Sequence, residues 1–387
     1  MASKIGKVTK GNYVLKYKGK DVVNAPSKLI TEGLLYKRPH MVVKKKFSEA
    51  IISPPKNYND TLLKLLASEN IASRKPIFES YDKQVQGFVI VEAGEADASV
   101  IAPLIDENVD EKTKKTGVAI ATACNPRYGL ISAYQGALSA VVEAARNVAA
   151  TGAYPQAITD CLNYGNPEKP EQLEELNEGI QGIRDACAGL KLKNHPKHPM
   201  PVISGNVSLY NESKNGHIAP TAVICCVGKI DDYNKAIKMQ LKRAGNHLYL
   251  LGERKAELGG SEYYRLLGHL GAYLPLTDLK EVKKEIDFMN DAVTAGLIQS
   301  AHDISEGGIA VSIGEMCMGS RGDGSIGAEI MLDKIPANKI RAEHKLFSEN
   351  GGFICEITPG NEKKVISIAK KHKLKIHSIG KKAQLMQ

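Results

Sequence analysis

Two apolar periodicities alternate along this chain. Short apolar or alternating runs predict strands, whereas apolar residues spaced three or four apart predict helices with one buried side. The predicted strands are Tyr13–Tyr17, Gly117–Thr122, Ala157–Thr159, Met200–Ser204, Thr221–Val227, His247–Leu251 and Phe353–Ile357. The predicted helices are Asn59–Ser68, Tyr134–Ala150, Pro170–Leu190, a helix from Ser261, Ser305–Met316 and Glu362–Lys371. Helices and strands mixed in this order predict an α/β fold.

The spacing of these elements divides the chain into three regions. Residues 1–80 form an N-terminal connecting segment, and residues 81–235 and 236–387 form two α/β domains. Near the start, Ile5-Gly6-Lys7 is echoed by Ile379-Gly380-Lys381 near the end. Internal similarity of this kind indicates duplication. We therefore expect the chain to be the second copy of a duplicated architecture whose first copy lies elsewhere.

The composition adds an aliphatic core and a lysine-rich surface to this picture. Trp is absent and aromatic residues make up only 5% of the 387 residues, so aliphatic side chains must fill the core. Lys and Arg outnumber Asp and Glu by 52 to 43, but they are scattered, with short runs at Lys44–Lys46 and Lys370–Lys371. An RNA-binding surface would interleave aromatic residues with its basic ones. We therefore expect a solvated surface and no nucleic-acid partner.

Cysteine spacing and hydropathy indicate in which cellular compartment the protein is expected. The seven cysteines include no CxxC pair, so free thiols in a reducing cytosol fit better than a disulfide framework or a zinc site. No apolar run approaches the roughly 20 residues of a membrane span, and the N-terminus lacks an apolar signal core. The sequence therefore predicts a soluble cytoplasmic protein without a membrane partner.

The segment with the most chemistry is Ser204-Gly205-Asn206-Val207-Ser208, which follows an apolar strand. Glycine at this place lets the backbone approach a ligand closely. The amide oxygen of Asn206 suits Mg²⁺, which prefers oxygen ligands, and Ser208 can donate to a phosphate or a polar substrate. Gly, Asn and Ser are also the residues of β-turns, and the spacing alone favours a turn.

Three further segments allow both a functional and a structural interpretation. Asp160 ends an apolar strand, where α/β proteins place ligand-binding groups, but a cap on a turn is about as good an explanation. Gly259-Gly260-Ser261 opens a helix that could hold an anion, or Ser261 is a plain N-cap. His302-Asp303 suits acid–base chemistry, although Asp303 or Ser305 as a helix cap is favoured. No Walker A sequence occurs, and no glutaminase nucleophile is evident.

In this order, these segments resemble the second half of phosphoribosylformylglycinamidine synthase. The resemblance rests on ITDCLNYGNPEKPE from Ile158, PVISGNVSLYNE from Pro201, LGERKAELGGSEY from Leu251, AHDISEGGIAV from Ala301 and KLFSENGG from Lys345. Upstream, Tyr36–Pro39, Tyr81-Asp82 and Asn125–Tyr128 also agree, so the likeness covers nearly the whole chain. It implies an α/β (α+β) fold like that of aminoimidazole ribonucleotide synthetase. Residues 81–235 would then be a central, barrel-forming pairing domain, and residues 236–387 a C-terminal α/β domain.

The resemblance also implies an activity and cofactors. The family converts formylglycinamide ribonucleotide, ammonia and ATP to formylglycinamidine ribonucleotide, ADP and phosphate in purine biosynthesis. A separate glutaminase domain or subunit releases the ammonia from glutamine. Carried over residue by residue, Asp160 and Gly205 match ATP contacts, Asn206 matches a Mg²⁺ ligand and Ser208 matches a substrate contact. ATP and Mg²⁺ are therefore the expected cofactors, and no catalytic residue is carried over.

The chain departs from the family where catalysis is concentrated. A Glu-Ser-His-Asn-His-Pro segment of the family's first half, which carries a catalytic His and a metal-binding Glu, corresponds here to Ala123–Arg127. An Arg-Asp pair is replaced by Arg146-Asn147. We therefore expect activity only with a separate N-terminal-half synthetase chain, together with a glutaminase subunit and a small bridging subunit. The alternatives are a non-catalytic nucleotide-binding or scaffold homodimer of the same fold, or a fragment of a longer protein.

Overall fold

The computed structural model describes residues 2–33, 36–43, 46–319 and 326–384, in two compact units, residues 1–40 and 41–387. Two lysines of the predicted basic run, at positions 44 and 45, lie outside the described residues. In the small unit, β1 (Asn12–Tyr17) and β2 (Lys20–Pro26) form an antiparallel hairpin followed by α1 (Ser27–Glu32). Lys18 and Gly19 have φ of 47° and 80°, as a two-residue type I′ turn requires. The predicted first strand is confirmed.

The elements of the larger unit have the following bounds. Its strands are β3 (Val89–Val91), β4 (Ser99–Ile101), β5 (Gly117–Ala123), β6 (Tyr154–Asn163), β7 (Val202–Ser208), β8 (Glu212–Ser213), β9 (Gly216–His217), β10 (Thr221–Ile230), β11 (His247–Leu251), β12 (Ser300–Asp303), β13 (Ile326–Ile330), β14 (Phe353–Ile357) and β15 (His377–Gln384). Its α-helices are α2 (Tyr58–Leu66), α3 (Lys75–Phe78), α4 (Glu111–Lys114), α5 (Pro126–Ile131), α6 (Ala133–Ala150), α7 (Pro170–Gly189), α8 (Glu262–Leu266), α9 (Leu279–Thr294), α10 (Gly308–Met318), α11 (Ala342–Phe347) and α12 (Glu362–Lys371).

Two main sheets organise the larger unit. The first has the order β3-β4-β5-β10-β6-β7, and it is antiparallel except for the parallel β6–β7 pair at its edge. The second has the order β12-β14-β11-β15-β13 and is antiparallel throughout. Helices pack against both sheets. The predicted α/β (α+β) class is therefore confirmed.

Helix α6 is the element against which both sheets pack. Ala137, Ala140, Ala144, Ala145 and Ala149 are all buried, and alanine combines high helix propensity with a small side chain that lets neighbouring elements approach. The helix contacts β5 and β10 of the first sheet, β12 of the second, and helices α7 and α9. One continuous hydrophobic core therefore runs from the first sheet through α6 to the second.

Several predicted elements coincide with the structure to the residue. Strands β11 and β14 and helix α12 have the predicted bounds. Ser261 is the N-cap of α8, and its Oγ accepts a hydrogen bond from the Tyr264 backbone N–H at 3.2 Å. The N-cap interpretation of Ser261 is thereby confirmed.

Two local expectations are wrong. Residues 204–208 do not form a β-turn: they belong to β7, because this segment pairs in parallel with β6. Neither Asp303 nor Ser305 caps a helix, since Asp303 ends β12 and Gly307 is the N-cap of α10. Gly307 and Gly308 have φ of 78° and 68°, a left-handed conformation that favours glycine. These glycines make the turn into α10 after the Asp303–Ser305 segment.

Among the described residues, no helix has the length and hydropathy of a membrane span. All seven cysteines are described, and none of them is in a disulfide.

A buried carboxylate ties the connection between the two domains to the second sheet. Glu356 of β14 accepts hydrogen bonds from the backbone N–H groups of Lys242 and Arg243 at 2.7 and 3.0 Å. It also accepts from Asn246 Nδ2 at 2.7 Å and Ser300 Oγ at 2.8 Å. Hydrogen bonds to a carboxylate are stronger than hydrogen bonds between neutral groups. This side chain therefore fixes the path of residues 242–246.

We predict that Glu356→Ala lowers the free energy of unfolding by about 3 kcal/mol, because the donors around it, including the buried Asn246 and Ser300, lose their acceptor. Urea denaturation followed by circular dichroism measures the change. The control is Glu281→Ala, which removes an exposed ion pair with Lys284 and should cost less than about 1 kcal/mol. Equal losses in the two variants would contradict the role assigned to Glu356.

Candidate functional site

The predicted nucleotide and metal residues lie on the parallel β6–β7 pair at the edge of the first sheet. Asp160 is opposite Gly205 in the strand register. A Cβ atom at position 205 would lie 2.6 Å from Asp160 Oδ1, so the carboxylate occupies the space that a side chain would need. Glycine within a strand often marks such a close approach. The absence of a side chain at Gly205 is therefore what allows Asp160 to lie against β7.

Asp160 faces the helix-covered side of the sheet. It alternates with Ile158 and Leu162, which are both buried in the core, and alternate residues of a strand share a face. Strand β6 continues to Asn163, so Asp160 lies within the strand, and its interpretation as a turn cap is wrong. Burial raises the pKa of the Asp160 carboxyl, and a hydrogen bond from the backbone N–H of Asn206 opposes that rise.

Asn206 and Ser208 lie on the opposite face of the same edge. In the register they are opposite Cys161 and Asn163. Asn206 Nδ2 is 3.6 Å from Cys161 Sγ, and Ser208 Oγ donates to Asn211 Oδ1 at 3.3 Å. The structure thus brings Asp160 together with Gly205, and Asn206 together with Ser208. It does not enclose the four residues in one pocket, so a ligand touching all of them must extend around β7.

The β7 edge is open. Val202, Ile203 and Val207 are 47%, 63% and 59% exposed, which is unusual for apolar strand residues unless another surface covers them. The edge offers one carboxylate, backbone amides, an amide oxygen and a hydroxyl. These groups can contact phosphates and a cation, but here they form a single wall and leave the other sides of the ligand uncovered.

A second polar site lies in the interior, between the two domains. Its lining includes Glu143 and Arg146 of α6, Asp303 at the end of β12, Glu306 in the following turn, and Glu349. Asp303, Glu349 and Arg146 are buried. The site therefore collects residues from segments far apart in sequence into one acidic cavity.

Hydrogen bonds hold Glu349 in place within this cavity. Its Oε1 accepts from the backbone N–H groups of Glu262 and Gly307, both at 2.9 Å. Its Oε2 accepts from the Tyr128 hydroxyl at 2.8 Å. Burial, with Glu306 nearby, raises the pKa of Glu349 to about 8.

The pKa values of Asp303 and Glu143, two other carboxyl groups of the cavity, are also raised. Burial raises the pKa of Asp303 to about 8, with a further contribution from Asp97. The pKa of Glu143 is also raised, first by burial and then by Glu306 and Asp303. Carboxyl groups in such surroundings either keep a proton near neutral pH or need a cation to stabilise the ionised form.

Asp97, His302 and Asp303 place three potential metal-ligand atoms within 4.8 Å of one another, the one such group among the described residues. His302 Nδ1 is 2.6 Å from Asp97 Oδ1, and its Nε2 is 2.9 Å from Glu315 Oε2. Burial lowers the pKa of His302, but the two carboxylates outweigh it and raise the pKa well above its ordinary value. His302 therefore lies within ion-pair distance of a carboxylate at each ring nitrogen, and with Asp97 and Asp303 it belongs to a cluster that could also hold a metal ion.

Little in the sequence points to this interior site. One signal is the His302-Asp303 pair, which suits acid–base chemistry. The other is that Glu143 and Arg146 interrupt an Ala-rich helix that is buried on most sides, and buried charges are rare unless paired. Arg146 pairs with Glu285 of α9 at 3.0 Å. Asp97 and Glu349 carry no comparable signal, because their burial depends on the packing of distant segments.

Family models match both domains of the larger unit. Residues 95–230 match the N-terminal domain of AIR synthase related protein, and residues 243–384 match its C-terminal domain. Together these ranges cover more than half of the chain. The chain belongs to the family of AIR synthase related proteins, and the predicted aminoimidazole-ribonucleotide-synthetase-like fold is confirmed.

Curated relatives make the likeness more specific. The chain is 44% identical over 375 residues to phosphoribosylformylglycinamidine synthase subunit PurL of Methanothrix thermoacetophila, which covers 96% of this chain and 47% of the relative. It is 37% identical over 378 residues to the same subunit of Methanocaldococcus jannaschii, covering 95% and 49%. The predicted resemblance to phosphoribosylformylglycinamidine synthase is confirmed. The chain spans about half the length of the curated relatives it matches.

Solved structures agree on the fold. T. maritima PurL complexed with FGAR has a TM-score of 0.64 at 19% identity, over 85% of this chain and 50% of that chain. PurLQS from Thermotoga maritima has a TM-score of 0.57 at 17% identity, over 97% and 50%. At these identities the likeness is one of fold. The roles of Asp160, Gly205, Asn206 and Ser208 and the boundaries of the three regions stay predictions.

We predict that the interior carboxyl groups make the folded chain less stable as pH rises. Asp303 and Glu349 have a pKa of about 8 when folded and ordinary values of about 4 when unfolded, so the folded state binds more protons between these limits. Their stabilising contribution is complete below about pH 4 and is lost as pH rises through about 8. The raised pKa of His302 acts in the same direction. Urea titrations at about pH 5, 6.5 and 8.5 should show a falling free energy of unfolding, by up to about 1.4 kcal/mol per pH unit for each proton.

The variant Asp303→Asn isolates this effect, because it removes the ionisable group and keeps the shape. Its unfolding free energy should depend less on pH than that of the wild-type chain. The matched control is Asp333→Asn at an exposed position, which should leave the slope unchanged. A free energy of unfolding that rises over this pH range would contradict the assignment.

Proposed function

We propose that this chain is one half of an ATP-dependent C–N ligase of purine biosynthesis. The enzyme would convert formylglycinamide ribonucleotide, ammonia derived from glutamine, and ATP to formylglycinamidine ribonucleotide, ADP and phosphate. The observation that carries the proposal is the 44% identity over 375 residues to about half of a PurL subunit. T. maritima PurL, which shares the fold, has been solved in complexes with FGAR, ADP and ATP. We place the chain in the cytoplasm, where this pathway operates.

In this proposal Asp160 and Gly205 contact ATP, Asn206 ligates Mg²⁺ and Ser208 contacts the ribonucleotide. The residues fit these ligands, because β7 is an edge strand that is exposed at Gly205 and Asn206 offers the hard oxygen ligand that Mg²⁺ prefers. When bound, Mg²⁺ supplies charge neutralisation at the phosphate oxygens. Asn206 would hold the cation against β7 and Ser208 would orient the substrate, so the contribution of both is positioning.

The open edge supports a partner that completes the site. On the face that carries Asn206, Ile120 of β5 is 38% exposed and Val223, Cys225 and Val227 of β10 are half-buried. The intervening residues of these strands, which face the helices, are mostly buried. Exposed apolar sheet surface of this kind is typical of an interaction site. We propose that an N-terminal-half synthetase chain covers this face and supplies the missing walls.

Ammonia supply requires further chains in this proposal. A glutaminase subunit would release ammonia from glutamine, and a small bridging subunit would connect it to the synthetase. The solved assembly named PurLQS from Thermotoga maritima, of which this chain matches half of one chain in fold, supports such an arrangement.

We predict that the purified chain alone shows only background ATP hydrolysis. Hydrolysis that depends on formylglycinamide ribonucleotide and ammonia should appear when the N-terminal-half chain is added, because each half supplies part of the site. In that mixture, Asp160→Ala and Asn206→Ala should each lower kcat/KM by about 100-fold. The control Asp231→Ala changes an exposed carboxylate of the same domain and should leave activity unchanged.

Full activity from the chain alone would contradict a divided site. Nucleotide binding without turnover in the mixture would instead favour the scaffold homodimer. Circular dichroism of each variant establishes that the fold is intact.

The Gly205→Ala variant tests the close approach of Asp160 to β7. The added methyl group would lie 2.6 Å from Asp160 Oδ1, so the carboxylate must move. We expect the KM for ATP of the reconstituted enzyme to rise about tenfold, equivalent to about 1.4 kcal/mol. Gly314→Ala is the matched control, because its Cβ would be 3.6 Å from the nearest Leu66 atoms. A Gly205→Ala enzyme with the wild-type KM would refute the ATP role of this corner.

A further inference from the structure

The side-chain amide of Asn206 has two ends of opposite chemistry, and only the oxygen can ligate a cation. Asn206 is exposed at the sheet edge, so packing does little to select which end points outward. Its Nδ2 lies 3.6 Å from the Sγ of Cys161 on the neighbouring strand. A hydrogen bond at Nδ2 is what can distinguish the two orientations.

Cys161 is held in place to make this contact. It is opposite Asn206 in the parallel register of β6 and β7, so the two side chains share a face. Its sulfur also accepts a hydrogen bond from Nδ2 of Asn163 at 3.6 Å. The same Nδ2 donates to the Cys161 carbonyl oxygen at 2.9 Å. The sulfur therefore joins an amide side chain on β6 to one on β7.

We infer that Cys161 is a positioning residue for cation binding by Asn206. By accepting a hydrogen bond from Nδ2, the sulfur turns that end of the amide toward β6 and leaves Oδ1 directed away from Cys161, where it could hold a cation. The inference rests on the proposed function, which assigns a Mg²⁺ ligand to Asn206. Loss of a partner that orients a metal ligand typically lowers metal affinity or activity by roughly 10- to 100-fold.

The test uses the reconstituted enzyme of both halves, with Mn²⁺ as a paramagnetic probe in the presence of ATP. Electron paramagnetic resonance of free Mn²⁺ gives its Kd, and steady-state assays at saturating Mn²⁺ give kcat. We expect Cys161→Ala to raise the Kd for Mn²⁺ about tenfold and to change kcat less than about twofold. Cys161→Ser keeps a hydrogen-bond acceptor and should recover most of the affinity.

Cys225→Ala provides the matched control. Cys225 is a half-buried thiol of β10 whose register partner is Thr159, so it lies on the same face as Cys161. This variant should retain the wild-type Kd for Mn²⁺. An increase equal to that of Cys161→Ala would overturn the inference, because loss of any thiol on this face would then have the same effect.

The remaining outcomes separate this inference from the proposed function. If Asn206→Ala weakens Mn²⁺ binding but Cys161→Ala does not, the role of Cys161 is refuted and the cation site stands. If Asn206→Ala leaves the Kd unchanged, the proposed cation site fails, and the role of Cys161 fails with it. A Cys161→Ala enzyme with lower kcat but unchanged Kd would also overturn the inference, since it would indicate general damage to the strand pair.

Discussion

The burial of helix α6 between two sheets is the constraint on which the rest of the structure depends. Its small side chains let both domains share one core. The helix also carries Glu143 and Arg146 into the interior, where Arg146 meets Glu285 of α9 with both side chains buried. Loss of one partner from a buried ion pair is strongly destabilising, whereas the intact pair adds little net stability. The pair therefore acts mainly by fixing the position of α6 against α9.

This arrangement produces two polar sites with opposite character. The interior cavity lies between segments of both domains, and burial raises the pKa of its Asp303 and Glu349 carboxyl groups. The β6–β7 edge is open, and its groups suit phosphate and a cation without surrounding either. The close contact of Asp160 with Gly205 fixes one face of that edge, and Asn206 with Ser208 forms the other. An open wall of this kind fits the proposal that another polypeptide completes the site.

Much of the fold could be predicted from the local pattern of apolar and polar residues. The spacing of apolar residues alone predicts strands such as His247–Leu251 and helices such as Glu362–Lys371. The pattern failed at Ser204–Ser208, where turn-forming residues occupy a strand. Pairing with β6 and the need to accommodate Asp160 outweigh local propensity there. Resemblance to a family indicated the residues of the open edge. The interior site escaped prediction because Asp97, Glu143 and Glu349 come together only through long-range packing.

If β7 is one wall of a site that another polypeptide closes, its backbone must become protected when that polypeptide and ATP bind. Hydrogen–deuterium exchange of residues 202–208, measured on the chain alone and in the mixture with the N-terminal-half chain and ATP, tests this most directly. We expect exchange in β7 to slow by about tenfold or more in the mixture, while the buried strand β11 stays unchanged. Equal exchange of β7 in the two samples, under conditions where the mixture is active, would contradict a divided site.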